Sequence, residues 1–214
     1  MGVESDEPAD RSRFAPSKAV CSGQTADVYF LHARRILEAE GIDRVVTMEV
    51  FAGGAGILCG MREALELLRS ACAPGDEVYA VGEGTAVAER EVVLQIRGRY
   101  RAFGLYETAI LGMLAQETGW ASAARRCVDA ADGVPVVHFG ARHVHPDVVA
   151  RLEYAAVVGG CTACATPAGA ALAELEPSGT IPHAFILCVG DTVEAMRAVD
   201  RRVDPRTSRI ALVD

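Results

Sequence analysis

The chain has 214 residues, of which 50% are hydrophobic, and carries a formal charge of −8, enough to bury a core as one large domain or two small ones. An acidic chain is a poor general binder of nucleic acid or anionic membrane, which call for a basic face. Any anionic ligand must be held by locally placed cations, and with Lys18 the sole lysine, Schiff-base and P-loop chemistry have almost no residue to work with.

Residues 1–23, "MGVESDEPADRSRFAPSKAVCSG", are polar and acidic at the start, and are expected to form a flexible lead-in without a secretion signal. From Thr25, a plausible N-cap, "ADVYFLHARRILEAEG" has helical periodicity and stops at Gly41. "RVVTMEVF" is a β-branched strand, "AGGAG" a turn, and "ILCGMREALELLRS" a helix. "DEVYAV" and "EREVVLQIRG" then read as paired strands. "LYETAILGMLAQETG" and "WASAARRCVDAA" read as two helices joined at Gly119, closing an α+β domain over 24–132.

After Gly133 strands and helices alternate: "VPVVHFG" strand, "PDVVARLEY" helix, "AAVVGG" strand, "PAGAALAELE" helix, "TIPHAFIL" strand, "DTVEAMRAVDRR" helix, "RIALV" strand. Alternation of this kind gives βαβ units and a parallel sheet. A dinucleotide fingerprint is missing, so the expected fold is α/β: an α+β domain followed by the first four strands of an α/β barrel over 133–214. A complete barrel takes roughly 250 residues and eight strands, so the chain reads as an N-terminal fragment, inactive alone. The uncharged stretch from Tyr154 to Ala173 is broken by Gly159-Gly160 and Pro167, and reads as strand, turn and helix rather than a membrane span.

The seven cysteines are odd in number and scattered through apolar segments, so they are expected to be reduced, buried thiols of a cytoplasmic protein. Cys161 and Cys164 form a CxxC, but no second Cys/His pair stands at zinc spacing, so a structural role is favoured and no metal site is expected in this chain.

Barrel chemistry gathers at the C-terminal ends of strands. Candidates there are Arg142, a clamp for carboxylate or phosphate or else the partner of a helix carboxylate; His143 and His145, ligands or solvated caps; Gly179 and Thr180, open to an anion; His183, core imidazole or catalyst; and Asp214. Arg97, Arg99 and Arg101 at period two form either a solvated strand face or a basic rim.

"TADVYF", "LYETAILGMLA", "FGARHVHP", "YAAVVGG" and "SGTIPHAFIL", in this order, resemble the nicotinate phosphoribosyltransferase family, within the type II group that includes quinolinate phosphoribosyltransferase. The resemblance runs from Gln24 to Asp214 and implies an incomplete type II barrel. It further implies transfer of phosphoribose from phosphoribosyl pyrophosphate to nicotinate, with ATP as co-substrate and Mg2+ as cofactor, in a homodimer or larger homo-oligomer. His183 matches the histidine that ATP-coupled members phosphorylate, Tyr29 the tyrosine that stacks on the pyridine ring, and Arg142 the arginine at the anionic end of the substrate. Gly179 and Thr180 precede the histidine of that motif, while Ala184 replaces a serine found in some relatives. Quinolinate phosphoribosyltransferase is the alternative, disfavoured because His143 stands where its lysine would be. A non-catalytic binding module is the reading from a different class.

Overall fold

The computed structural model describes residues 11–213. Helices α1 (Lys18–Cys21) and α2 (Val28–Ala39) lead into strand β1 (Val45–Phe51), a short β2 (Gly56–Ile57) and helix α3 (Met61–Ala71). Strands β3 (Glu77–Ala80), β4 (Ala86–Val87) and β5 (Val92–Arg99) follow, then a short α4 (Tyr100–Phe103) and the long α5 (Glu107–Ala130). The second half holds β6 (Val137–His138), α6 (Val149–Val158), β7 (Ala163–Cys164), α7 (Pro167–Ala173), α8 (His183–Val189) and α9 (Thr192–Arg202).

The first half is an antiparallel sheet in the order β1-β5-β3, backed by α3 and α5. Met48 pairs with Ile96 and Val50 with Leu94 across β1 and β5, while Val78 and Ala80 meet the same two residues from β3. Period-two alternation thus aims Leu94 and Ile96 at the core and Arg97 and Arg99 at water. On α3 the buried residues Met61, Ala64, Leu67 and Leu68 recur at helical spacing against that face. Each fully buried Leu or Met contributes about 1.5–3 kcal/mol. Helix α3 starts at Gly60, whose φ of +90° and approach to Met113 leave no room for a side chain: an added Cβ would lie 2.6 Å from the Met113 carbonyl oxygen. The Glu83 carboxylate caps the helix, accepting from Gly60 N at 2.9 Å and Arg62 N at 3.1 Å.

Several expectations for the first half hold and three do not. The strands at 45–51, 77–80 and 92–99 form, and the two expected as a pair are neighbours. Helix α2 begins one turn later than Thr25, with Asp27 at its N-cap. The two helices expected to meet at Gly119 are one helix of 24 residues. A mid-helix glycine costs about 1 kcal/mol, and the stripe Ile110, Leu114, Glu117 and Ala121 buried along α5 outweighs it. The segment expected as a flexible lead-in packs from Phe14 onward: Phe14 is buried, its ring 5.0 Å from that of Tyr154, with the guanidinium groups of Arg62 and Arg151 5.5 and 5.4 Å from its centre. Residues 1–10 lie outside the described residues.

In the second half β6 and β7 run parallel, Val137 opposite Ala163 and His138 opposite Cys164, joined by α6. A βαβ unit forms as expected in kind, but its second strand, β7, lies beyond the expected "AAVVGG", and of the four expected strands three do not form among the described residues. "AAVV" continues α6, whose end is sealed by Gly159 N donating to Ala155 O at 2.9 Å and by Gly160 at φ +109°. Small residues drive the choice: Ala155 and Ala156 are buried, and Gly159 sits so close to α5 that a Cβ would lie 2.3 Å from Ala121 O. "TIPHAFIL" is helical from His183, with Pro182 at the N-cap and Gly190 at φ +89° as the stop. Residues 208–213, "RIALV" included, have no regular structure, and Asp214 is outside the described residues. A short apolar run is ambiguous between strand and helix until a pairing partner decides, and among the described residues β7 pairs only with β6. No helix among the described residues is long and apolar enough to cross a membrane.

Candidate active site at the ends of the parallel strands

The turns leaving β6 and β7 lie side by side. After His138 the chain makes a tight turn, Gly140–His143, that presents Arg142 and His143 to solvent. After Cys164, Ala165 and Thr166 lead into α7, where the Thr166 hydroxyl caps the helix by accepting from Gly169 N at 3.2 Å. Between and beneath them stands Glu153 of α6, fully buried. Its Oε1 accepts from Ala165 N at 3.0 Å and its Oε2 from Thr166 N at 3.1 Å and from the Thr166 hydroxyl. Two backbone donors and a hydroxyl satisfy the buried carboxylate.

His138 faces the same carboxylate, with Nδ1 3.9 Å from Glu153 Oε1, too far for a hydrogen bond. That nitrogen is buried and has no hydrogen-bond partner among the described residues. Burial pushes the His138 imidazole below its ordinary range; the Glu153 carboxylate pulls the other way, and His143 adds to the lowering. The ring lies under the Gly140 turn, where a Cβ would come within 2.5 Å of Nε2. Burial and the nearby carboxylate push the Cys164 thiol up to about 11, so it is an inert, protonated neighbour.

The other expected residues are not all gathered here. Gly179 is brought to the end of β6, a Cβ on it lying 3.9 Å from the Phe139 ring, and it lines a cleft of about 480 Å³ with Ser178, Asp204, Arg206 and Ser208. Ser178 N donates to Cys164 O at 2.8 Å, which fixes that segment to β7. Thr180 donates instead to Ile210 O at 2.9 Å, so its hydroxyl is spent on the chain. His183 is an exposed residue at the start of α8, not a strand residue aimed into a barrel. Tyr29 is exposed on α2 of the first half, its hydroxyl 3.4 Å from Asp27 Oδ2. His145 caps the turn before α6, with Nδ1 accepting from Asp147 N at 3.3 Å. Arg97 and Arg99 pair with Glu77 and Asp43, the solvated-face outcome, while Arg101 falls in α4.

A second cluster, unseen in the sequence, lies where the two halves meet. Glu117 of α5 is buried, and dehydration, with Glu63 and Glu83 adding, raises it to about 8 against the pull of Arg151. Arg151 Nη2 reaches Glu63 Oε1 at 2.9 Å. The Cys59 thiol donates to Glu117 Oε2 at 3.7 Å, and burial holds it far above its ordinary range. Donor atoms of Cys59, Glu83 and Glu117 lie within 4.8 Å of one another. They do not suit Mg2+, which wants oxygen ligands in octahedral geometry: the thiol and Glu117 are protonated at neutral pH, and Glu83 is engaged in capping α3. The CxxC pair, Cys161 and Cys164, is buried and free. All seven cysteines are free, but Cys21, Cys127 and Cys188 are exposed and Cys72 is partly so, against the expectation of burial throughout.

A two-layer α+β unit is joined to a βαβ unit with an arginine turn at its strand ends, and comparison with known proteins supplies the family. The N-terminal domain model of quinolinate phosphoribosyl transferase matches residues 27–118 and its C-terminal domain model residues 120–213. The chain belongs to the type II phosphoribosyltransferase family. Among solved structures, a nicotinate-nucleotide pyrophosphorylase from Pyrococcus furiosus is 40% identical with a TM-score of 0.84, over 93% of this chain and 52% of that one. NadC from Streptococcus pyogenes shares the fold at 19% identity and a TM-score of 0.64, over 86% of this chain and 67% of that one. A nicotinate phosphoribosyltransferase of Mycobacterium tuberculosis is 31% identical over 111 residues, 52% of this chain but only 25% of that protein.

These findings correct the expectation of an ATP-coupled nicotinate phosphoribosyltransferase. Both halves match quinolinate phosphoribosyl transferase models, and structures called nicotinate-nucleotide pyrophosphorylase follow the chain over nearly its whole length. The ATP-linked role given to His183 goes with that reading. His143, standing where a quinolinate phosphoribosyltransferase lysine would be, counts against the quinolinate type at one position, and the match of both domain models outweighs it.

Proposed function

We propose that the chain is part of a phosphoribosyltransferase of the quinolinate type, taking a pyridine dicarboxylate and phosphoribosyl pyrophosphate to nicotinate mononucleotide. The observation that carries this reading is the match of both domains to the quinolinate phosphoribosyl transferase models, and the 40% identity to the Pyrococcus furiosus nicotinate-nucleotide pyrophosphorylase supports it. The pyridine nitrogen attacks the anomeric carbon as pyrophosphate departs, and the carboxylate beside the quaternised nitrogen then leaves as carbon dioxide, its electron pair returning to the ring before protonation. Arg142, exposed in the turn after β6, binds a substrate carboxylate through its planar fork. His143 beside it supplies a second donor. Mg2+, which prefers oxygen ligands, would neutralise charge on the substrate phosphates in this reading, and Tyr29 is exposed on α2, where it would be free to reach a second copy.

Chromatography of the products from quinolinate, phosphoribosyl pyrophosphate and Mg2+ tests the reading, with carboxyl-labelled quinolinate to trap the carbon dioxide. Equal release of nicotinate mononucleotide and labelled carbon dioxide without ATP supports it. Product from nicotinate but none from quinolinate overturns it.

A further inference from the structure

Glu153 holds one turn and faces the histidine that supports the other, and it does so with a shared atom. Its Oε1 is both the acceptor for Ala165 N, at 3.0 Å, and the atom nearest His138 Nδ1, at 3.9 Å. Its Oε2 takes Thr166 N and the Thr166 hydroxyl, and that hydroxyl in turn caps α7 through Gly169 N. On the other side the His138 ring supports the Gly140 turn that carries Arg142 and His143. A buried imidazole nitrogen without a partner, beside a fully buried carboxylate, is rare in folded proteins and calls for an explanation.

We propose that Glu153 is a positioning residue which, through His138, couples the turn carrying Arg142 to the turn at Ala165 and Thr166, so that the two walls of the candidate site respond together. The proposal rests on the reading of this site as the substrate site, and adds to it a residue that touches no substrate. The physical link is competition for one oxygen. Neutral His138 leaves Oε1 to Ala165 N. Protonated His138 turns Nδ1 into a charged donor, which draws Oε1 toward itself and loosens the Ala165 contact. The groups that face His138 are Glu153 from α6, His143 from its own turn and, beyond the carboxylate, the protonated Cys164 thiol of β7. Glu153 holds the Ala165–Thr166 turn directly and faces the Gly140 turn through His138.

Backbone amide signals of the full, isotope-labelled chain, followed with the His138 ring from pH 5 to 8, test the coupling without any substrate. Signals of Gly140 to Arg142 and of Ala165 and Thr166 should move along the His138 transition in the wild type. In Glu153→Gln the response should vanish at Ala165 and Thr166 and persist at Gly140. Flat Ala165 and Thr166 signals in the wild type, or an unchanged response in Glu153→Gln, overturn the proposal. If Glu153→Gln does not fold, His138→Asn decides: loss of the transition at Ala165 and Thr166 supports the coupling, and its persistence overturns it. Quinolinate added to the wild type separates the two ideas, because coupled turns that ignore quinolinate would remove the substrate reading and leave the coupling standing.

Discussion

Arg151 on α6 meets Glu63 on α3 with Nη2 2.9 Å from Oε1, both side chains largely buried, and this ion pair joins the second half of the chain to the sheet-bearing first half. The same guanidinium lies 5.4 Å from the centre of the Phe14 ring, and it is the cation that keeps Glu63 and Glu117 from rising further. Removing one partner of a buried pair leaves an uncompensated charge, which costs about 3–5 kcal/mol. Arg151→Met should therefore lower stability by that amount in urea titration. The double variant Arg151→Met with Glu63→Met should recover much of it. Equal losses in single and double variants would show that the stacking on Phe14, not the charge pair, carries the contribution.

Glu117 gives the chain a stability that falls with rising pH. Its folded value, about 8, lies above the ordinary 4.5, so the native state keeps a proton that the unfolded state releases. Stability is then fullest below pH 4.5 and declines until Glu117 ionises near 8, by at most about 5 kcal/mol. Glu63, also raised by burial, acts in the same direction, whereas the lowered His138 acts oppositely as pH falls below the ordinary histidine range. Melting temperature measured between pH 6.5 and 8.5 isolates the acid. It should drop in the wild type and stay nearly level in Glu117→Gln.

Gly159 is needed for the approach of α6 to α5. Its φ of −70° suits any residue, so the cost of Gly159→Ala is steric: the methyl would meet Ala121 O at 2.3 Å and the Ala124 side chain at 2.8 Å. Overpacking of this kind costs about 1–3 kcal/mol. Chemical denaturation should show a loss in that range for Gly159→Ala and almost none for Gly119→Ala, where no atom lies within 4 Å and the helix gains propensity. The reverse order would mean that the two helices separate without cost.

Thiol labelling under native conditions should follow exposure. Cys21, Cys127 and Cys188 are exposed, Cys72 is half-buried with its thiol raised by burial, and Cys59, Cys161 and Cys164 are buried. Intact mass after brief maleimide treatment at neutral pH should show three adducts, a fourth appearing slowly and seven only on unfolding. Rapid loss of two thiols without adducts would instead reveal a Cys161–Cys164 disulfide and a redox role for the CxxC pair.

The sequence by itself determined the elements whose pattern is long and periodic. The alternation in 45–51 and 92–99, the apolar stripe of α3 and the Pro146 start of the following helix all appear as read, because local periodicity and burial agree there. It also marked the Arg142 turn at a strand end. Only the tertiary structure decided the short apolar runs. "AAVV" became helix because Ala155, Ala156 and Gly159 allow α6 to lie against α5, and "TIPHAFIL" became helix because Pro182 and Gly190 bound it and no strand pairs with it. The buried groups were out of reach of sequence for a related reason. Glu153 and Glu117 look like ordinary charged residues of amphipathic helices, and what makes each one special is a partner 12 to 58 residues away: Ala165 N for Glu153 and the Cys59 thiol for Glu117. Long-range contacts leave no local period in the chain, so the fold alone brings a carboxylate out of water and supplies the donors that keep it there.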